Sequence, residues 1–205
     1  MLHRKTVSAE LLALLESLMT IPSFGTLRLV GGTALALQIG HRNSVDIDLF
    51  GKHDIDKQSL TEALNIFDET KSLGGSQSIN IYLVNGIKVD IVNYPYPWLR
   101  PPLVWEGIRM AAIEDIAAMK IAAITQRGSK KDFIDLYFLL QQFSMSELMA
   151  LYIEKIGDGN EWLALRSISY LDDADKQPTP TMFKPYSWDS IKFRIAQEVK
   201  AYGSY

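Results

Sequence analysis

In the segment Ser44-Val45-Asp46-Ile47-Asp48-Leu49-Phe50, polar and apolar side chains alternate from Ser44 to Leu49, and a period of two over six residues specifies a half-buried strand. On such a strand Val45, Ile47 and Leu49 share a face that can be buried, while Asp46 and Asp48 share the other. The strand rise holds the two aspartate backbones roughly 7 Å apart. Aspartate is depleted in strands, so two on one face ask for a reason beyond solvation of an edge. Carboxylates this close repel each other, and a divalent cation between them relieves the repulsion. Ligation by oxygen alone, with room left for phosphate groups, points to magnesium.

Upstream, the run Leu29-Val30-Gly31-Gly32-Thr33-Ala34-Leu35-Ala36 closes an apolar stretch that starts at Leu27 and opens a short helical pattern over 33–38. By itself a Gly-Gly pair marks a tight strand-to-helix turn. Placed before the two aspartates it does more, because glycines let a phosphate approach the exposed N–H groups of a helix start. A third acid lies further on. Residues 78–84 and 87–93 flank Asn85-Gly86, the strongest short signal for a two-stranded hairpin, so Asp90 sits inside a strand. Val89 and Ile91 point to one face there, and Lys88, Asp90 and Val92 to the other. Asp90 either pairs with Lys88 or solvent, or joins Asp46 and Asp48 at a metal site; the second reading is adopted here.

The whole chain reads as α+β. Its pattern is helix (8–19), strand (27–31), short helix, strand (45–50), helix (56–69) and the hairpin strands, a small mixed sheet backed by helices. Tyr94-Pro95-Tyr96-Pro97 and Arg100-Pro101-Pro102 then break regular structure. Helical patterns follow at 113–127, 132–142, 146–156 and 160–169, then an irregular stretch over 172–187 and a closing helix over 188–202. The expected division is a core over residues 1–100 and a helical C-terminal half over 101–205. Within the 113–127 pattern Lys120 and Arg127, seven apart, share a face. Ser129-Lys130-Lys131-Asp132 fits a capping box at the start of the next helix. Asp135, beside Phe133, Ile134, Leu136 and Tyr137, has no such structural task and would either pair with Lys120 or Arg127 or sit near the site.

Composition narrows the setting. The 205 residues are 47% hydrophobic and 22% charged, enough apolar content for a core, and they contain no cysteine, which removes disulfides, thiolate catalysis and zinc–thiolate sites. A reducing compartment, by default the cytoplasm, is expected. Leu11, Leu12, Leu14 and Leu15 are interrupted by Glu10 and Glu16, so the N-terminal segment reads as an amphipathic helix and not as a signal sequence, and no window is long enough to span a bilayer. A net charge of −3 provides no general attraction for nucleic acid, so any RNA contact has to be local, with Arg42, Arg109, Lys120, Arg127, Lys130 and Lys131 available. The three histidines lack paired spacing, and a histidine metal site is not expected.

Gly31-Gly32-Thr33, the short helix and Asp46-Ile47-Asp48 resemble the first motif of the polymerase-beta-like nucleotidyltransferase superfamily. The fuller string His41-Arg42-Asn43-Ser44-Val45-Asp46-Ile47-Asp48-Leu49-Phe50 resembles the AbiEii/AbiGii toxin family within it. So does a second block, Glu114-Asp115-Ile116-Ala117-Ala118-Met119-Lys120 with Arg127 and Lys131-Asp132-Phe133-Ile134-Asp135-Leu136-Tyr137. The match covers most of residues 25–140. One departure is Gly32-Thr33 where the superfamily usually has Gly-Ser; threonine keeps the hydroxyl and adds a methyl group.

The resemblance implies a nucleotidyltransferase core and a metal-dependent transfer of a nucleoside monophosphate from a nucleoside triphosphate to an acceptor hydroxyl, with pyrophosphate released. It assigns Asp46, Asp48 and Asp90 as ligands of two magnesium ions, with manganese as the substitute ion, and Asp90 as general base or second-metal ligand. Gly31, Gly32, Thr33, Arg42, Ser44 and Arg127 would bind the nucleotide, and Lys120 would neutralise phosphate charge during transfer. Asp132 and Asp135 would orient those cations. It further implies a toxin of a toxin–antitoxin or phage-defence pair, tRNA as an acceptor and a cognate antitoxin encoded nearby. A small-molecule transferase of the aminoglycoside-modifying type shares the same acids, and a non-enzymatic partner-binding module is the remaining alternative.

Overall fold

In a computed structural model, which describes residues 2–203, the chain forms two compact units. Of the described residues, the first comprises 2–96 and 101–111, and the second 97–100 and 112–203. The expected division at residue 100 assigned 101–111 to the helical half; instead these residues form a hairpin of the sheet.

The first unit contains helix α1 (Ala9–Thr20), strand β1 (Arg28–Leu29), α2 (Gly31–Ile39), β2 (Ile47–Gly51), α3 (Lys57–Leu64), β3 (Thr70–Gly75), β4 (Ile79–Val84), β5 (Ile87–Asn93), β6 (Leu103–Trp105) and β7 (Ile108–Met110). The sheet is mixed, in the order β3-β4-β5-β2-β1-β7-β6. Strands β2 and β5 pair in parallel, as do β1 and β7, and the remaining neighbours are antiparallel. Alternation along β2 and β5 follows the expected faces, except that Val45, expected to share the buried face, precedes β2 and is 63% exposed. Ile47, Leu49, Val89 and Ile91 are fully buried, while Asp48, Phe50, Lys88 and Asp90 are half-buried on the other side. Asn85, with φ 47°, and Gly86, with φ 78°, make the left-handed turn of the β4–β5 hairpin.

Two parts of the sheet differ from the sequence expectation. The helix expected over 56–69 ends at Leu64, and Thr70–Gly75 adds an edge strand against β4. With only Leu73 as a large apolar residue and two glycines, this edge carries no strand signal of its own; its order comes from pairing. The second is the β6–β7 hairpin, turned at Glu106 (φ 50°) and Gly107 (φ 82°), whose β7 extends the sheet beyond β1 through the pair Leu29–Met110.

The second unit is helical: α4 (Ile113–Gln126), α5 (Lys130–Leu139), α6 (Met145–Ile156), α7 (Glu161–Ser169), α8 (Asp172–Asp175) and α9 (Trp188–Tyr202). Helix α6 begins with a complete capping box, in which the Ser144 hydroxyl accepts from the Glu147 N–H while the Glu147 carboxylate accepts from the Ser144 N–H. The stretch expected to be irregular over 172–187 contains the single turn α8. Asp175 there accepts from the Trp188 indole at 2.5 Å and from Lys192 at 3.2 Å, which fastens the stretch to α9.

A buried ion pair organises this unit. Lys155 on α6 and Asp115 on α4 have no exposed side-chain surface and meet at 2.7 Å. Lys155 also donates to the Pro97 carbonyl at 2.8 Å and lies 4.5 Å from the Trp98 ring centroid. Asp115 accepts from the Leu99 and Arg100 amides at 2.9 and 3.1 Å. The segment 97–100 is thereby held to the helices by charge-assisted bonds at both ends of the pair. Removing one partner strands the other charge in the interior, so Lys155→Met should lower unfolding stability by about 3–5 kcal/mol, read as a shifted urea midpoint.

Candidate active site

The first turn of α2 is built by close approach. Gly31 has φ 68°, a left-handed conformation, and a Cβ there would collide with the Asp48 carboxylate. A Cβ on Gly32 would collide with the Arg42 guanidinium and come within 3.4 Å of the Ser44 hydroxyl. The two glycines therefore admit an anion of the chain on one side and a cation on the other. Arg42 is nearly fully buried and donates from Nη1 to the Asn43 carbonyl at 2.9 Å. Helix N–H groups of this first turn have no acceptor within the helix and carry the positive end of its dipole.

Thr33 is turned inward. Its hydroxyl, buried, donates to the Asp46 carbonyl and is hydrogen-bonded to the Ser44 hydroxyl at 2.8 Å. Expected to face phosphate, this hydroxyl instead ties the glycine turn to the start of the aspartate strand, and its methyl group occupies buried space.

Parallel pairing of β2 with β5 sets Asp48 directly beside Asp90 in the register. Asp46 immediately precedes the strand. Neighbouring strands lie about 4.8 Å apart, so the backbone brings three acids within reach of a shared ligand. Their side chains do not yet converge. Among the described residues no three acidic or histidine groups stand arranged to hold a metal ion. The Lys88 ammonium contacts both Asp90 oxygens, at 2.7 and 2.6 Å. Residue types and backbone positions fit a hard divalent cation, and Lys88 supplies positive charge to Asp90 in its place.

The second unit gathers Lys120, Arg127, Asp132 and Asp135 into a cluster of their own. Lys120, almost wholly buried, bridges Asp132 at 3.1 Å and Asp135 at 2.6 Å. Arg127 grips Asp132 with Nε at 2.9 Å and Nη2 at 3.1 Å, and its side chain stays 57% exposed. The Ser129 hydroxyl donates to Asp132 at 2.5 Å. The capping box expected at Ser129 is therefore not formed. Ser129 is the N-cap of α5, but Asp132 is committed to the two cations and does not reach back to the Ser129 amide. Two cations and two carboxylates cancel, as a low-dielectric site requires.

Burial alone would raise the Asp132 pKa; Lys120 and Arg127 outweigh it and hold the carboxyl well below the usual range. With the folded pKa depressed, the cluster's stabilisation is complete above the unfolded value, near 4, and is lost as pH falls toward the folded one. Asp132→Asn should flatten the pH dependence of the unfolding temperature between about pH 5 and about pH 2 relative to the unsubstituted chain.

Sequence reasoning passed over Asp115 and Lys155. Leu148, Leu151 and Tyr152 mark the buried face of α6, and Lys155, at helical spacing from them, belongs to that face. It also passed over Phe50, which the alternation of β2 places on the same face as Asp48.

Residues 13–197 match the family described as "Nucleotidyl transferase AbiEii toxin, Type IV TA system". An uncharacterised protein of Aquifex aeolicus (strain VF5) is 34% identical over 194 residues, covering 92% of this chain and 93% of its own length. Among solved structures, a putative nucleotidyltransferase from H. pylori superposes with TM-score 0.63 at 18% identity, covering 97% of this chain and 92% of that one. The nucleotidyltransferase toxin MenT4 of Mycobacterium tuberculosis H37Rv superposes with TM-score 0.50 at 13% identity, covering 91% and 82%. At these identities the structural likeness is one of fold.

Proposed function

The chain belongs to the AbiEii family of nucleotidyltransferase toxins, and we propose that it transfers a nucleoside monophosphate from a nucleoside triphosphate to an acceptor hydroxyl, using Asp46, Asp48 and Asp90 with magnesium. The observation that carries this reading is the register Asp48–Asp90, with Gly31 pressed against the Asp48 carboxylate. It puts acids, a helix N-terminus and a buried guanidinium beside one turn. Triphosphate oxygens would lie against the α2 amides, which only side-chain-free residues leave approachable. Arg42 balances the acids next to that turn, and Thr33 with Ser44 keeps turn and strand in fixed relation. Asp90 would take the proton of the attacking hydroxyl or complete the metal set. Magnesium, when bound, would neutralise charge on the entering and leaving oxygens of the α-phosphate.

Arg127 is the cation of the helical cluster most exposed to a phosphate; Asp132 orients it, and Lys120 holds Asp132 and Asp135. Family membership supports a toxin with a cognate antitoxin; the proposal adds a role in phage defence and tRNA as acceptor. No helix among the described residues is long and apolar enough to cross a membrane, and a cytoplasmic site of action fits a triphosphate substrate.

Asp48→Asn should abolish transfer of label from an α-labelled nucleoside triphosphate, a loss of at least about a hundredfold, and should relieve growth arrest on induced expression. Transfer to aminoglycosides but not to total tRNA would replace the tRNA reading with a small-molecule one. No transfer to either, with equal growth for both chains, would leave only partner binding.

Lys88→Met removes the cation that competes for Asp90. Calorimetric titration with manganese or magnesium should show binding tightened by up to about fivefold, the scale of a partly exposed ion pair. Unchanged affinity would count against Asp90 as a ligand.

A further inference from the structure

The face of the sheet that carries the acids also carries a row of aromatic rings. Phe50 follows Asp48 by two residues on β2, so it lies on the same side, about 7 Å further along the strand. The pairing of β2 with β5 runs on past Asp48–Asp90 to Phe50–Val92, and the Tyr94 amide then donates to the Gly51 carbonyl at 3.0 Å. Tyr94 therefore continues the Asp90 face. Its ring packs on Phe50 with centroids 5.4 Å apart and planes tilted by 47°, and on Tyr96 at 5.2 Å and 57°. Burial falls along the row's outer end: Tyr94 is 9% exposed and Tyr96 37%.

Leu49 and Ile91 of the same two strands are fully buried on the opposite face, while on this one Val92 and Tyr94 are nearly buried and exposure rises toward Tyr96. The carboxylates of this face share it with the rings. The rings form a staircase that starts two residues beyond Asp48 on β2 and ends with one partly open to solvent. Resting on the reading above, we infer that Tyr96, backed by Tyr94 and Phe50, is a stacking platform for an unpaired nucleobase. A tilted ring held on its inner side by a second ring presents its outer face without losing side-chain freedom on binding, and every base has a π-face to meet it. Two sources share this chemistry: the base of the donor triphosphate and the terminal base of an RNA acceptor.

The test is equilibrium binding by calorimetry on the full chain with magnesium present, using ATP, GTP, a short single-stranded RNA and inorganic tripolyphosphate as probes. Tyr96→Ala should weaken the base-bearing probes about tenfold, leave tripolyphosphate unchanged, and be restored by Tyr96→Phe, which keeps the ring. Phe50→Leu, which removes the backing ring, should give a smaller loss in the same direction. Weakening confined to ATP or GTP assigns the platform to the donor base, and weakening confined to RNA assigns it to the acceptor. If both substitutions leave nucleotides and RNA at full affinity, or weaken tripolyphosphate in parallel, the platform is wrong while the catalytic reading survives. If the unsubstituted chain takes up neither tripolyphosphate nor nucleotides, both fall together.

Discussion

The parallel pairing of β2 with β5 is the constraint on which the proposed chemistry depends. A parallel pair cannot be closed by a tight turn, and here the chain leaves β2 through α3, β3 and β4 before it returns beside it. What sets the register is apolar: Ile47, Leu49, Val89 and Ile91 all lose their solvent exposure on one face. A slip of one residue would exchange those four for Asp48, Phe50, Lys88 and Asp90, exposing hydrocarbon and burying charge. Each such aliphatic side chain contributes about 1.5–3 kcal/mol when buried. The acids are thus placed by their neighbours' insolubility, and their own mutual repulsion is overridden rather than accommodated.

Charge is handled differently in the two units. In the helical unit, every buried carboxylate of the two ion clusters is answered by a buried cation, Asp115 by Lys155 and Asp132 and Asp135 by Lys120, with the exposed Arg127 added on Asp132. These are closed arrangements with matched charges. In the sheet unit, Asp90 is answered by Lys88, whose side chain is 40% exposed on a flexible stem. A half-exposed lysine is a counter-ion that can be exchanged at small cost. The contrast fits the proposal that Asp90 meets a ligand while the acids of the helical clusters hold structure.

The alternation around Asp46 and Asp48 and the Asn85-Gly86 turn were legible because both are local rules: period two for the strand, positive φ for the turn. They were sufficient to put Asp90 on the correct face. The partner of Asp90 was legible only as an alternative, since Lys88 shares that face by the same period. Thr33 shows where local reading stops: its hydroxyl marks a glycine-turn motif, but its direction is set by Asp46 and Ser44, eleven or more residues away. The edge strand Thr70–Gly75 and the β6–β7 hairpin were hidden for a related reason. Their residues are mostly polar or exposed, and the partners that order them lie outside any short window. Ser129 and Asp132 have capping-box spacing, yet the nearby guanidinium and ammonium outcompete a backbone amide for the carboxylate.

Because residues 97–100 are fastened to α4 and α6 while residues 101–111 return to the sheet, the backbone passes from one unit to the other three times. No single cut separates a complete sheet from a complete helical body. A fragment ending at residue 100 loses the strand that flanks β1 and carries the Lys155 anchor peptide with nothing to grip it; one ending at residue 111 still lacks Asp115. Shuffling among relatives that joins one member's sheet to another's helices must therefore keep this crossover stretch matched to both parents, which favours inheritance of the two units as a single piece.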